Sequence, residues 1–206
     1  VFILLNRDDN LYVYDGTTDG PSTNIPFAFI TRTDGEIIRN QIDMGQDVVA
    51  FIGNKLGFYQ DDVGIKKVNT LVPRESCTPS QTSLDNTEFG FDVGTMIYNY
   101  GSNTQNNINL TVEVTGPAGT WTETAGPFSL ASGDSLDVFT GGTNNIPAFS
   151  FPTYPSGNYN LSYSVDLGVT DSMDYDNTLD FPFVVSDELF AYAYMDTVTG
   201  LPQVAD

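Results

Sequence analysis

The sequence predicts an all-β protein: an immunoglobulin-like β-sandwich preceded by a smaller β-rich region. Three observations predict it. Apolar residues alternate strictly with polar ones along several stretches, most clearly Ile108, Leu110, Val112 and Val114 among Asn, Thr and Glu. Such period-2 alternation means a strand with one buried and one wet face. Turn signals recur about every ten positions in a chain with 19 Gly and 11 Pro, the spacing of a sandwich of about seven short strands. An apolar content of 40%, including many aromatic residues, is ample for a packed core, so the acidic excess does not imply disorder.

Taken in order, β-type runs occur at 1–5, 11–14, 25–31, 36–42, 48–52 and 56–59. Asp15-Gly16, Asp19-Gly20 and Asp34-Gly35 punctuate them, and Asp-Gly supplies the positive φ that tight turns require. Thr33-Asp34-Gly35, between 27–30 and Ile37-Ile38, therefore predicts a hairpin. Gln60-Asp61-Asp62 reads as a polar junction. Beyond it Val63 and Ile65 open a more regular alternation, continued by Phe91, Val93, Tyr98 and Tyr100, by the 108–114 run and by a strand at 119–128. Tyr159, Leu161, Tyr163, Val165 and Leu167 form the next, and Leu179, Phe181, Phe183 and Val185 the last. Pro182 costs that strand a ladder hydrogen bond and places it at an edge. The chain divides into 1–61, the small β-rich region; 62–186, the sandwich; and 187–206, a strand leading toward a following domain. Leu189-Phe190-Ala191-Tyr192-Ala193-Tyr194 is apolar and strand-prone, so backbone pairing of 190–194 is expected.

Charge excludes two classes of partner. All seven basic side chains (Arg7, Arg32, Arg39, Lys55, Lys66, Lys67, Arg74) lie in the first 74 residues, the formal net charge is −20, and His is absent. The chain beyond Arg74 repels phosphate backbones and anionic lipid heads. No run of about 18 apolar residues could span a bilayer, and the apolar start is too short for a signal-peptide core. The start at Val1 reads as that of a mature or excised piece of a longer exported protein.

Catalytic constellations are scarce. Without His, with Cys77 alone, and with neither a Gly-x-Ser-x-Gly elbow nor a phosphate-cradling Gly-x-x-x-x-Gly-Lys-Ser/Thr, the commonest active sites cannot be assembled. Gly53-Asn54-Lys55 has the wrong spacing for a phosphate loop. The residues therefore predict a protein that is not an enzyme. Calcium is the cofactor to weigh: Asp171, Asp174 and Asp176, with Asn177 and Asp180, crowd hard oxygen ligands onto one turn, though the turn glycine and closing Glu of an EF-hand are missing. The alternative is a solvated loop in a chain that is acidic throughout. Trp121, flanked by Thr120 and Thr122, is the aromatic residue to suspect as a binding platform, for a glycan or a protein.

Five motifs carry a resemblance. Asp62-Val63-Gly64-Ile65, Ile97-Tyr98-Asn99-Tyr100-Gly101-Ser102 followed by Ile108-Asn109-Leu110-Thr111-Val112, Ala131-Ser132-Gly133-Asp134-Ser135, Ser156-Gly157-Asn158-Tyr159-Asn160-Leu161, and Asp176-Asn177-Thr178-Leu179 occur in that order. Residues 62–186 resemble the CARDB-type, cell-adhesion-related Ig-like module of exported bacterial multidomain proteins, many of which use type IX secretion. The resemblance implies a secreted or cell-surface, non-catalytic structural or adhesive domain acting in attachment, spacing or assembly, with a protein partner or its own kind. It implies no ligand. An accessory module of a secreted hydrolase, whose catalytic domain lies outside this chain, and a carbohydrate-binding module are the alternatives. Asp134-Ser135-Leu136, Asp171-Ser172-Met173 and Asp196-Thr197-Val198 resemble the O-glycosylation triplet of type IX-using bacteria and make Ser135, Ser172 and Thr197 candidate glycosylation sites.

Overall fold

Alternation along the longest apolar run becomes the central strand of the larger sheet. In the computed structural model, which describes residues 2–5, 27–48, 55–85 and 89–191, Ile108, Leu110, Val112 and Val114 are fully buried on one face of a strand spanning Gln105–Gly116. The described strands are β1 (Phe2–Leu5), β2 (Phe27–Ile30), β3 (Val63–Thr70), β4 (Cys77–Pro79), β5 (Gly94–Asn99), β6 (Gln105–Gly116), β7 (Gly119–Leu130), β8 (Ser135–Phe139), β9 (Gly157–Asp166) and β10 (Thr178–Ser186). One helix, α1 (Arg32–Asp43), is described. The chain forms two compact units, Val1–Asn54 and Lys55–Asp206.

In the first unit β1 and β2 pair in parallel, Phe2 opposite Phe27 and Leu5 opposite Ile30. The hairpin expected at Thr33-Asp34-Gly35 is instead the first turn of α1. The Thr31 hydroxyl accepts a hydrogen bond from the Asp34 N–H (3.0 Å) and Asp34 places negative charge at the positive end of the helix dipole. Arg32–Glu36 (2.7 Å) and Arg39–Asp43 (3.7 Å) then pair one turn apart. These local contacts make Asp34-Gly35 a helix start rather than a turn. The run at 11–14 and most of that at 48–52 lie outside the described residues.

The second unit is a sandwich of two sheets, one ordered β4-β10-β9-β6-β7 and the other β3-β5-β8. The small sheet contributes Val63, Ile65, Ile97 and Val138 to the core; the large one contributes the β6 row, Tyr159, Leu161, Tyr163 and Val165 from β9, and Phe181, Phe183 and Val185 from β10. Burial of each such side chain stabilises by about 1.5–3 kcal/mol before chain entropy is counted. Tyr163 is fully buried and is satisfied at both ends of its hydroxyl: it donates to Leu71 O (2.7 Å) and accepts from Gly94 N (3.1 Å), joining the sheets. Phe149 packs against Phe91, Trp121, Phe151 and Tyr154, centroids 4.8–5.8 Å apart.

Pro182 has a positional reason. β4 pairs with β10 only from Val184 to Ser186, and Val184 N donates outward to Ser76 O (2.9 Å). Two residues earlier the Pro182 nitrogen faces the same flank, where no described strand is paired, so its missing N–H breaks no ladder there. The last strand is thus internal at one end and an edge at the other.

The unit boundary falls ahead of Gln60-Asp61-Asp62. Gly57 N donates to Tyr100 O, Ser102 N to Tyr59 O (2.9 Å) and Asn103 N to Gln60 O (3.0 Å), so residues 55–61 are part of the sandwich. At the other end Ala191 exchanges two hydrogen bonds of 3.0 Å with Cys77, which adds it to the outer flank of β4. Residues 192–206, including Tyr192–194 of the expected pairing segment and Thr197, lie outside the described residues. Among the described residues no helix is long and apolar enough to cross a membrane.

Candidate functional site

Four charged residues of the sandwich, Lys55, Asp62, Asp171 and Asp176, meet at the pole where β3 and β10 begin. Lys55 precedes β3, and its Nζ lies 3.0 Å from Asp62 Oδ1 and 2.6 Å from Asp176 Oδ2. The Asp62 side chain is 0% exposed, Lys55 16% and Asp176 20%. Gly64 makes room for this, since a Cβ there would stand 2.5 Å from Asp176 Oδ2. The Tyr100 ring closes one side, its centroid 3.8 Å from Nζ. Two carboxylates thus face one ammonium, and Asp62 Oδ2, Asp176 Oδ1 and Asn177 Oδ1 are buried without a hydrogen-bond partner.

The electrostatics follow from that count. Burial pushes the Asp62 carboxyl above its ordinary range, against the opposing pull of Lys55. Burial likewise works against the Lys55 charge, yet the hydrogen bonds to Asp176 and Asp62 outweigh it and hold the ammonium above the usual lysine value. Outside the cluster, Gln105 Nε2 (2.8 Å) and Asn103 Nδ2 (3.1 Å) donate to Asp61 Oδ1 and hold its carboxyl below the ordinary range.

The three aspartates weighed for calcium have separate environments. Asp171 organises its loop: Oδ2 accepts from Val63 N (3.0 Å) and Asn177 Nδ2 (3.1 Å), and Oδ1 from Met173 N (2.8 Å). Asp176 pairs with Lys55. Asp174 is exposed at the start of a single 3₁₀ turn, Asp174–Asp176. Among the described residues no group of three Asp, Glu or Cys side chains is arranged to hold a metal ion.

Trp121 is half-buried on β7 and packs edge-on against Phe149, ring centroids 5.4 Å apart. Ser135, the first residue of β8, and Ser172 are both exposed. Cys77 is buried, with its thiol directed to Leu189 O (3.3 Å) and pushed up by burial, away from the reactive thiolate. Asn99, central to the Tyr98-Asn99-Tyr100-Gly101 motif, is buried and fully bonded: Nδ2 donates to Asn103 O (2.8 Å) and Leu130 O (2.9 Å), and Oδ1 accepts from Gly101 N (3.0 Å). The motif residue thereby organises the loops around the Lys55 pole.

The residue that sequence reasoning missed is Lys55. Its only local sign was a lysine just ahead of Asp61-Asp62, and Asp176 lies 121 positions away.

No known protein-family model matches the chain, and no curated protein matches it. Among solved structures it is similar to the crystal structure of the CARDB domain of the PF1109 protein from Pyrococcus furiosus, determined in complex with di-metal ions. The identity is 16%, the alignment covers 68% of this chain and 100% of that one, and the TM-score is 0.38. The metal ions are those of the Pyrococcus domain.

Proposed function

We propose that this chain is a non-catalytic structural or adhesive module, secreted or at the cell surface, that spaces, assembles or attaches the longer protein it belongs to. The observation that carries this reading is the course of the chain through the sandwich. β3 begins at the Lys55 pole, beside the loop that leads into β10, while β10 ends at the opposite pole, where Ser80 Oγ (3.2 Å) and Ser156 Oγ contact Asp187 Oδ1. Nine residues of β10 span about 30 Å between the poles. Tension on β3 and on the end of β10 is thereby borne across the sheets and the Lys55 contacts.

The side chains with chemistry to offer are engaged in this architecture: Lys55 joins Asp62 to Asp176, Asp171 fixes a loop, Cys77 is buried, and Trp121 leans on the core. The strongly acidic surface supports a role outside nucleic acid and membrane binding. A protein partner or a second copy of the chain is the expected contact. The test is an in-frame deletion of 62–186 in cells that make the protein, with a second strain carrying an unrelated sandwich of equal length there. Loss of surface attachment restored by the unrelated sandwich supports spacing, and loss it cannot restore supports adhesion. Unchanged attachment, together with no antibody labelling of intact cells, would overturn the reading.

A further inference from the structure

We propose that Lys55 and Asp176 form an intramolecular amide bond, with Asp62 as the proton carrier, which closes the sandwich covalently from the segment ahead of its first strand to the segment ahead of its last. Nζ of Lys55 is 2.6 Å from Asp176 Oδ2, so nucleophile and carboxyl are already in contact; holding two reactants in this way replaces a bimolecular encounter by a local one. Asp62 Oδ1 lies 3.0 Å from the same nitrogen and belongs to a side chain with 0% exposure. Gly64 seats the Asp176 carboxylate against β3, and Tyr100 covers the nitrogen.

The step balances without a co-reactant. Asp62, whose proton affinity burial raises, takes a proton from the Lys55 ammonium against the hold of the two carboxylates on that charge, and the freed nitrogen lone pair attacks Asp176 Cγ, forming the N–C bond. Protons returned through Asp62 go to the departing oxygen as the C–O bond breaks. An ammonium and a carboxylate become one amide and one water, with no change in net charge. Loss of that water from a pocket shielded by protein favours the amide, which in open solvent would hydrolyse.

The unpartnered oxygens give the independent argument. As an ion pair the cluster leaves Asp62 Oδ2 and Asp176 Oδ1 buried without a partner, an expensive arrangement. The amide removes one Asp176 oxygen and leaves one N–H and one C=O. A neutral Asp62 carboxyl answers both, accepting from the N–H with one oxygen and donating its O–H to the C=O with the other. The direction in which burial shifts Asp62 is the one this requires.

Intact-mass measurement of the full chain, denatured after purification, tests the proposal. The expected mass is one water below that of the sequence, and proteolysis should release a branched peptide joining Lys55 to Asp176. Lys55→Arg retains the charge but cannot form this link and should return to its full sequence mass; Asp62→Asn should do the same, with circular dichroism confirming that each variant is folded. A wild-type chain at full sequence mass overturns the proposal even if no variant folds. A branched peptide mapping to any other pair, or an Asp62→Asn chain that still lacks one water, overturns the assignment of roles.

Discussion

The Asp176 carboxylate occupies the space that a side chain on Gly64 would need: Oδ2 lies 2.5 Å from the position of a Cβ there, closer than real Cβ contacts come. A residue with no side chain on β3 and an acid ahead of β10 are therefore fitted to each other, and Lys55 binds the acid in that seat. Gly64→Ala forces the carboxylate outward, away from Lys55. Overpacking of this kind costs about 1–3 kcal/mol. Urea unfolding should show the loss as a lower midpoint at unchanged slope, and an unchanged midpoint would mean that the carboxylate moves freely.

Tyr163→Phe tests the joint between the sheets. The substitution keeps the ring and removes the hydroxyl, leaving Leu71 O and Gly94 N without that partner. A buried group so orphaned costs about 1–3 kcal/mol. Chemical denaturation at neutral pH, where this phenol is neutral because burial pushes it far up, should show a loss in that range.

The sandwich was legible where one face of a strand is buried along its whole length. β6, β9 and the end of β10 place every expected apolar residue inward, because period-2 alternation and burial are the same constraint. Around β5 the pattern misleads: Val93 and Ile97 are buried, whereas Tyr98 stacks on Tyr100 on the outer side, 5.7 Å between centroids. α1 escaped because Asp34-Gly35 fits a hairpin turn as well as a helix start, although Thr31 three residues ahead of Asp34 is the spacing of an N-cap. β4 has only three residues, one of them Pro79, too few to show a period. The Lys55 cluster was illegible in principle, since no local rule relates residues 55 and 176. The charged loop 171–176 was visible in the sequence; the cation that comes to it was not.

Asp61 predicts an acid step with a defined sign. Its carboxyl is held below the ordinary 3.8 by Gln105 and then Asn103, so the folded chain binds fewer protons there than the unfolded one. That contribution is present above the ordinary value and is lost as pH falls through the lowered one. The gap in urea midpoint between the wild type and Gln105→Ala should therefore be wider at neutral pH than near pH 2. Taking the difference cancels the general relief of repulsion in so acidic a chain. A gap that does not narrow in acid would contradict the assignment.

Calcium and magnesium, at matched ionic strength, should raise the melting temperature equally, by screening the surplus carboxylates. Lys55 already pairs with Asp176, and Asp174 stands exposed apart from it. An increase specific to calcium and abolished by Asp174→Asn would instead establish a calcium site on the 171–176 loop.

Pulling single molecules through the two ends of the chain measures whether the sandwich bears tension through the Lys55 pole. The wild type should resist as a unit, and Lys55→Ala should yield at lower force because its contacts with Asp62 and Asp176 are gone; where the proposed amide joins residues 55 and 176, the variant should also release the chain between them. Equal unfolding force in the two proteins would mean that the Lys55 contacts bear no load.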